Sequence, residues 1–339
     1  MDSITQIVLG AAVANAAIGK KVGNRALLWG AIGGTIPDLD VFFKYTHSYV
    51  DSMALHRGFS HSIFFACLLA PLLGWLIAKI YKQNRGSAKA WTWAMLLALA
   101  THPMLDAFTT WGTSLWWPFT ETRVAINSIF VLDPLYTVPF MICLVVSMFY
   151  RKKTSLRAKW NWAGIIISST YLLSTVVNQQ LVYKKFETAW QKAGIHMLKA
   201  DVKPTPMNNI LWTANIESDS SFYLGYYSWM DTYNDISFTE VNKNHELLDP
   251  FRDHPDVQQL LKITIGFYVI EKFSGGLYMH DLRFGQMEGW NPEKGEFVFT
   301  YRLHIKNSEI QSIDQRPNNF EGMGDAFNML VKRIKGHGY

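Results

Sequence analysis

The chain has 339 residues, of which 49% are hydrophobic and 17% are charged, and its formal net charge is +5. This composition excludes a disordered, collagen-like or coiled-coil protein, and two cysteines are too few for a disulfide scaffold. Residues 1–183 contain 15 of the 32 Lys and Arg residues but only 7 of the 27 acidic residues. The first half is therefore too apolar for a soluble domain. Its basic residues lie in connections, so we expect no nucleic-acid partner.

Six apolar segments follow one another in the first half. They are residues 3–19, 26–43, 61–80, 90–108, 129–150 and 160–183, and the last has no charged side chain. A helix that crosses a bilayer needs about 20 predominantly apolar residues, although shorter tracts occur at polar sites. We predict a polytopic α-helical membrane domain of about six transmembrane helices over residues 1–183.

The basic residues predict which way this domain faces. The connections on one side contain no acidic residue and hold Lys20, Lys21, Arg25, Lys79, Lys82, Arg85, Lys89, Arg151, Lys152, Lys153, Arg157 and Lys159. The opposite connections hold only Lys44, Arg57 and Arg123 as bases. The positive-inside rule then predicts that the N-terminus and the second half lie outside the cytoplasm. Every acidic residue and histidine of the first half falls at or towards the outer ends.

Residues 184–339 have the pattern of a soluble α+β domain. Residues 296–305 alternate between apolar and polar side chains, which predicts a half-buried strand. Further strands are predicted at 210–215, 222–230, 236–241, 263–271 and 276–284, and helices at 188–198, 255–262 and 324–334. Residues 201–209 indicate a linker. Asp281 and Arg283 are predicted to form a structural ion pair. We predict an extracytoplasmic α+β domain with an antiparallel sheet.

Imidazoles and carboxylates gather near four predicted helix ends. These groups are Asp38 and Asp40, His56 and His61, His102 and Asp106, and Asp133. His102 and Asp106 are four residues apart, so they share a helix face and either clamp one divalent ion or leave Asp106 to orient His102. His56 and His61 converge only if a loop leads into a helix between them. Of Asp38 and Asp40, one is expected to ligate while the other braces or bridges.

The donor types indicate a hydrolytic metal. Nitrogen and oxygen donors without a nearby thiol suit Zn²⁺ or Mn²⁺, which lower the pKa of a bound water. Arg57 and Arg123 could then hold a phosphate. The simpler alternatives are helix caps at Asp38 and Asp133, and an aromatic belt for the tryptophans at 111, 116 and 117. The sequence has no motif of a serine hydrolase, a P-loop NTPase or a zincin.

Five motifs carry a resemblance to a known family. They are Met1-Asp2-Ser3-Ile4-Thr5, Pro37-Asp38-Leu39-Asp40, His56-Arg57-Gly58-Phe59-Ser60-His61-Ser62, Thr101-His102-Pro103 with Leu105-Asp106, and Asp133-Pro134-Leu135-Tyr136. They resemble the YdjM-like family of bacterial inner-membrane proteins, regarded as membrane-bound metal-dependent hydrolases. The resemblance implies a multi-pass protein of the bacterial inner (cytoplasmic) membrane. Gln6 departs from the family pattern, which has Thr-His at this point, and Gln is a poor zinc ligand.

The family is also distantly similar to zinc-dependent phospholipase C, which implies phosphoester hydrolysis. The implied ligands are His56, His61, His102 and Asp106, completed by Asp38 or Asp40 and by Asp133. We assign Asp38 to the ligands as well as to the catalytic residues, which are predicted to be Asp38, Asp40, Arg57 and Asp133. The expected ion is Zn²⁺, with Mn²⁺ or Mg²⁺ as alternatives.

We therefore expect a membrane-bound metal-dependent hydrolase that cleaves a phosphoester in a lipid-linked substrate with metal-activated water. Two other interpretations remain open. One is a non-enzymatic membrane module with a structural metal site and a partner-binding β-rich domain. The other is an ion- or proton-coupled transporter, in which buried acids and imidazoles line a path.

Overall fold

The computed structural model describes residues 1–81, 86–232, 235–291, 295–317 and 323–336. Lys82 and Arg85, which support the predicted orientation, lie outside these ranges. Contacts divide the chain into two compact units. The first unit is Met1–Tyr45, Leu55–Val177 and Pro206–Asn208, and the second is Thr46–Ala54, Asn178–Thr205 and Asn209–Tyr339. The domain boundary after residue 183 stays a prediction.

The first unit is helical. Its helices are α1 (Ser3–Val22), α2 (Asn24–Thr35), α4 (Ile63–Ile80), α5 (Ala88–Asp106), α6 (Pro134–Phe149) and the first part of α7 (Ser155–Lys192). Short 3-10 helices cover Pro37–Tyr45 and Phe59–His61, and α3 (Tyr49–Leu55) lies between them. Side-chain caps begin several helices, because the first amides of a helix have no partner within it. The Ser62 hydroxyl, for example, accepts a hydrogen bond from the Phe65 amide at the start of α4.

Small residues allow α1 and α2 to pack with their backbones in contact. A Cβ atom added at Gly10 would collide with the carbonyl oxygen of Gly30, and one added at Gly34 would collide with that of Gln6. Close approach through small residues is typical of helix pairs in membranes, where apolar burial does not drive association. The packing of α1 on α2 is therefore encoded by glycine at these contact positions.

The predicted count of six spans is not confirmed. Within the described residues, Ile63–Ile80 and Ser155–Lys192 are long and apolar enough to cross a membrane. A third span results if α2 and the 3-10 helix Pro37–Tyr45, which are bent by 43° relative to each other, cross together. The bend coincides with Pro37, which has no backbone N–H to continue the hydrogen bonds of α2. The predicted span 26–43 is thus a broken helix.

Arg157, counted above among the cytoplasmic basic residues, is buried near the start of α7. Its guanidinium donates to Asn15 Oδ1 at 2.7 and 3.1 Å and to Asn24 Oδ1 at 2.6 Å. It also donates to the carbonyl oxygens of Ser147 and Tyr150 at 3.4 and 3.3 Å. One side chain therefore joins α1, α2, α7 and the end of α6 through neutral oxygens. Arg157 has a structural role, so it is weaker evidence for orientation than an exposed loop charge.

The second unit contains two four-stranded antiparallel sheets in its described part. The first has the order β1-β2-β3-β4, with β1 (Lys199–Pro204), β2 (Leu211–Glu217), β3 (Ser221–Ser228) and β4 (Phe238–Asn242). The second has the order β10-β9-β6-β5, with β5 (Tyr268–Phe273), β6 (Gly276–Asp281), β9 (Thr300–Lys306) and β10 (Glu309–Gln315). A small ribbon pairs β7 (Gln286–Met287) with β8 (Glu296–Phe297), and the helices are α8 (Pro255–Thr264) and α9 (Met323–Ile334).

These elements confirm the predicted antiparallel sheet and correct several details. The first four residues of the predicted linker, 201–204, belong to strand β1, which ends at Pro204. The first residues of the predicted strand 263–271 end helix α8, and the predicted helix 188–198 begins as the last turn of α7. Strand β10 was not predicted. Residues 309–315 are largely polar, and only one of them is buried, so the sequence lacks a clear alternation of apolar and polar side chains there.

Buried ion pairs lie in the second unit. Arg283 donates to Asp281 from Nε and Nη2 at 3.0 and 2.7 Å, as the sequence predicts. Lys203 contacts Asp201 and donates to the carbonyl oxygen of Leu282 at 3.3 Å. Burial lowers the pKa of the Lys203 ammonium, and the neighbouring Asp201 carboxylate opposes that shift. Each of these buried charges therefore has a partner of opposite sign, without which its burial would be costly.

Candidate metal centre

Two imidazoles and two carboxylates converge in the first unit. The Nε2 atoms of His61 and His102 are 3.1 Å apart. Asp38 Oδ1 lies 3.4 Å from each of them, and Asp106 Oδ2 lies 3.5 Å from each. All four donor atoms lie within 4.8 Å of one another. We call Asp38, His61, His102 and Asp106 the donor group.

Most of these distances suit a tetrahedral ion. Zinc binds imidazole nitrogen and carboxylate oxygen at about 2.0–2.1 Å, which separates neighbouring tetrahedral ligands by about 3.3 Å. The separations that involve His61 or His102 range from 3.1 to 3.5 Å, whereas the donor atoms as a set lie within 4.8 Å of one another. The two imidazoles with either carboxylate therefore fit a small divalent cation, and binding of both carboxylates requires a small movement of their side chains.

Three parts of the chain deliver the donors. Asp38 follows Pro37, where the chain bends after α2, and His61 ends the 3-10 helix that precedes α4. His102 and Asp106 lie one turn apart near the end of α5, as their spacing predicts. The bend and the short 3-10 helix bring residues from separate elements to the α5 face.

Hydrogen bonds on the far side of both imidazoles orient their Nε2 atoms. His102 Nδ1 lies 2.6 Å from the carbonyl oxygen of Gly34. Because a carbonyl only accepts, Nδ1 carries the proton and Nε2 keeps its lone pair. His61 Nδ1 lies 3.0 Å from the Ser60 hydroxyl oxygen, whose proton goes to Asp40, and 3.1 Å from Asp40 Oδ2. Both oxygens accept, so Nδ1 of His61 carries the proton as well. Metal-bound histidines typically donate their second nitrogen to such a partner.

Asp40 connects the donor group to the segment at 56–61. Its Oδ2 accepts hydrogen bonds from the Arg57 amide at 2.9 Å and the Ser60 hydroxyl at 2.8 Å. Its Oδ1 lies 2.8 Å from His56 Nδ1. Asp40 is buried and belongs beside the donor group, where it braces His61. Of the Asp38–Asp40 pair, Asp38 is the one that reaches the donor group, and its role as a ligand stays a prediction.

His56, proposed above as a ligand, is not in the donor group. Its Nδ1 contacts Asp40, and its ring centroid lies 5.9 Å from that of His61. The His56 side chain is 33% exposed, whereas those of His61 and His102 are fully buried. The structure thus separates two histidines that the motif alone does not distinguish.

Arg57 supports Asp106. Its Nε lies 3.4 Å from Asp106 Oδ2, and its Nη1 donates to the Thr109 hydroxyl at 2.9 Å. The backbone of Arg57 has a φ of 59°, a left-handed conformation that costs energy in a residue with a side chain. Such strain persists where the surroundings hold the residue in place, and here the Asp40 carboxylate holds its amide.

The sequence model of the family described as YdjM inner membrane protein matches residues 1–182. The match covers more than half of the chain and includes the whole donor group. The chain belongs to the YdjM inner membrane protein family. This confirms the family that the motifs indicate and supports an inner membrane location, while the side on which the termini lie stays a prediction.

Two relatives of this YdjM family member are informative. Uncharacterized protein YfhP of Bacillus subtilis (strain 168) is 24% identical over 257 residues, which cover 72% of this chain and 75% of YfhP. Inner membrane protein YbcI of Escherichia coli (strain K12) is 35% identical over 107 residues, or 31% of this chain and 60% of YbcI. Neither name states an activity. No solved structure matches the chain.

In this YdjM family member, Gln6 lies against the donor group. The sequence alone showed that Gln6 departs from the family pattern but did not predict this contact. Its Nε2 donates to Asp106 Oδ1 at 2.9 Å and to the carbonyl oxygen of His102 at 3.3 Å. The α-amino group of Met1 also contacts Asp106. Gln6 therefore holds Asp106 from the side opposite to the donor group, as a hydrogen-bonding neighbour.

Asp133 and Arg123 lie elsewhere in the first unit. Asp133 caps α6 by accepting from the amides of Leu135 and Tyr136, and it accepts a hydrogen bond from the Tyr171 hydroxyl at 2.9 Å. These contacts match the simpler interpretation of Asp133 as a helix cap. Arg123 donates to the carbonyl oxygen of His56 at 2.8 Å. A catalytic role for Asp133 stays a prediction, because a capping role already accounts for these contacts.

Proposed function

We propose that this YdjM family member is a membrane-bound, metal-dependent hydrolase of a phosphoester in a lipid-linked substrate. The observation that carries the proposal is the convergence of His61 and His102 with two carboxylates at metal-ligand spacing. Buried carboxylates and imidazoles in a membrane protein are costly unless they bind a cation, face water or pair with one another. Their concentration in one place therefore indicates a function.

The donors suit Zn²⁺ best, with Mn²⁺ and Mg²⁺ as alternatives, because two imidazole nitrogens and two carboxylate oxygens favour a borderline divalent ion. When bound, such an ion polarises a phosphoryl oxygen and activates water for attack on phosphorus. Asp38 and Asp106 supply two negative charges that hold it. Asp40 and the carbonyl oxygen of Gly34 keep the two imidazoles in the binding orientation.

The residues around the donor group have distinct roles in this proposal. Asp38 is the partly exposed donor, with 24% of its side chain accessible, so substrate reaches the group from its side. His56 is held by Asp40 and offers its second nitrogen to a substrate oxygen. Arg57 keeps a positive charge beside Asp106, which favours an anionic substrate.

The neighbourhood of Asp38 supports a substrate with a lipid tail. The same 3-10 helix exposes the apolar side chains of Leu39, Val41 and Phe42. A phosphoester that approaches Asp38 therefore passes an apolar surface, which is favourable when the substrate carries a hydrocarbon chain. We further propose the six-span arrangement with the N-terminus and residues 184–339 on the extracytoplasmic side.

The test combines metal analysis with hydrolysis. We expect purified protein to contain stoichiometric divalent metal and to hydrolyse a phospholipid or another lipid-linked phosphoester in mixed micelles. His102→Ala should lose both metal and turnover while it remains folded, and His47→Ala, which alters an exposed histidine, should lose neither. Wild-type protein that contains metal but hydrolyses no phosphoester in a broad panel would contradict the proposal.

A second function is favoured by one specific observation. The donor group has four protein donors, the number typical of structural zinc sites, whereas catalytic sites usually use three and leave a position for water. The second candidate is thus a membrane module whose ion is structural and whose β-rich unit binds a partner. It predicts that chelation unfolds the first unit and that no phosphoester is cleaved.

A further inference from the structure

A loop rich in aromatic side chains connects α5 to α6, and the proposed chemistry does not use it. We call residues 111–120 the aromatic loop. Trp116 is 57% exposed and Phe119 is 83% exposed, although both side chains are large and apolar. Neither supports the donor group directly, so their exposure requires another explanation.

Backbone hydrogen bonds fasten the aromatic loop to the segment that carries His61. The amide of Ile63, the first residue of α4, donates to the carbonyl oxygen of Leu115 at 3.0 Å. The amide of Ser114 donates to the carbonyl oxygen of Arg57 at 3.1 Å. The loop is therefore held at both ends of the segment 57–63, which contains one metal donor.

Aromatic contacts extend the same attachment. The Trp117 ring lies 4.9 Å from the Phe59 ring in an edge-to-face arrangement, and Phe119 lies 6.3 Å from Phe64. Phe59 is two residues before His61. Trp117 and Phe119 of the loop thus contact rings on either side of His61 in the chain, at 59 and 64.

The surface beside the loop continues along a candidate membrane span. Helix α4 is one of the two helices that are long and apolar enough to cross a membrane within the described residues. Its exposed side chains Phe64, Leu68, Leu72 and Trp75 recur every three or four residues and so form one stripe. Phe119 contacts Phe64, at the end of that stripe.

We propose that the aromatic loop is a membrane-interface anchor, with Trp116 and Phe119 in the boundary between phospholipid headgroups and acyl chains. Aromatic side chains favour this layer at the ends of transmembrane helices. The occupant is a phospholipid surface because the exposed rings continue the apolar stripe of α4. The anchor holds His61 at headgroup depth. It does not depend on hydrolysis, so it can be tested whether or not the proposed activity is found.

The test measures depth in the bilayer with single fluorescent probes on the full chain. Cys67 and Cys143 are replaced by alanine, and one cysteine is introduced by Phe119→Cys, Leu72→Cys or Glu309→Cys and labelled with an environment-sensitive dye. Residue 72 lies mid-helix on the stripe, so its probe is the reference for the lipid interior. Glu309 is exposed in the second unit, so its probe is the reference for water. Vesicles contain phosphatidylethanolamine and phosphatidylglycerol, with bromine at a shallow or a deep position of the acyl chain.

We expect shallow bromine to quench the probe at 119 at least twofold more than deep bromine does, and the probe at 72 to show the reverse order. The probe at 309 should respond only to aqueous iodide. Because Phe119→Cys removes one anchoring ring, Thr120→Cys, which retains Phe119, provides a second variant with the same expectation. Labels at both 119 and 120 that respond like the label at 309 would overturn the proposal.

Discussion

Asp40 shows how one carboxylate controls several neighbours. It contacts His61, His56, the amide of Arg57 and the hydroxyl of Ser60, and it is buried. Its contact with His61 Nδ1 leaves Nε2 available to a cation. Asp40 is thus a positioning residue, whose effect on the ion passes through the imidazole.

We expect Asp40→Asn to lower the affinity for the divalent ion by about 10–100-fold, because an amide no longer fixes the proton on His61 Nδ1 as a carboxylate does. Competition with a chromogenic chelator measures this change. Asp51→Asn, which alters an exposed carboxylate on α3, is the matched control and should bind metal like the wild type. Equal affinity in both variants would show that Asp40 does not position the ligand.

His56 provides a second residue-scale prediction that distinguishes a ligand from a substrate contact. His56→Ala should keep its metal content, since His56 lies outside the donor group, but should lower kcat by about 10²–10³-fold if its nitrogen contacts the reacting phosphoester. Elemental analysis and kinetics on the same preparation separate the two effects. Loss of the ion from His56→Ala would instead make His56 a ligand, as the sequence interpretation holds.

At the scale of elements, Arg157 joins helices that small residues bring together. Its guanidinium donates to side-chain and carbonyl oxygens near the ends of α1, α2 and α6, and Asn161 continues the network to the carbonyl oxygen of Ala12 at 3.0 Å. Because these acceptors are neutral, the network is held by hydrogen bonds and has no paired carboxylate.

We expect Arg157→Leu to lower the free energy of unfolding in detergent by about 1–3 kcal/mol, since Asn15 and Asn24 lose the donor that satisfies them. Chemical denaturation monitored by helical circular dichroism measures the change. The control is Arg151→Leu, which alters an exposed arginine in the same connection. If both variants unfold alike, the network does not stabilise the helices.

At the scale of the whole molecule, the second unit takes a short segment from within the first half of the chain. Thr46–Ala54 belongs to the second unit, yet it lies in sequence between Asp40 and His56. Val50 of this segment is buried, and the Tyr49 hydroxyl donates to Gln315 Oε1 at 3.0 Å. The chain on either side of the segment carries residues that surround the donor group.

Val50→Asp should therefore affect both stability and metal binding. Burial of an unpaired carboxylate should lower the free energy of unfolding by about 3 kcal/mol or more, and a loosened segment should weaken binding of the ion through its two flanks. Denaturation and chelator competition on the full chain measure the two effects, with the exposed Asp51→Asn as control. Unchanged metal affinity in a destabilised Val50→Asp protein would show that the segment does not couple them.

Local spacing in the sequence determined the parts of this protein that depend on neighbours along the chain. His102 and Asp106 share a helix face because of the helical repeat, and residues 296–305 contain most of strand β9 because alternation follows the pleat. The short motifs of the first half indicated the YdjM family, which the comparison confirms. The types of donor were also readable, since the motifs at 38–40, 56–61 and 102–106 contain imidazoles and carboxylates and no cysteine.

Tertiary structure decided which of these residues meet. Asp38 joins the donor group and Asp40 braces it because the chain bends at Pro37, and His56 is separated from His61 because a strained Arg57 and a 3-10 helix lie between them. The contacts of Gln6 with Asp106 and of Arg157 with Asn15 join residues 100 and 142 positions apart in the chain. Hydrophobic periodicity describes which face of an element is buried, but side-chain partners across elements depend on where the helices cross, which only the packed fold specifies.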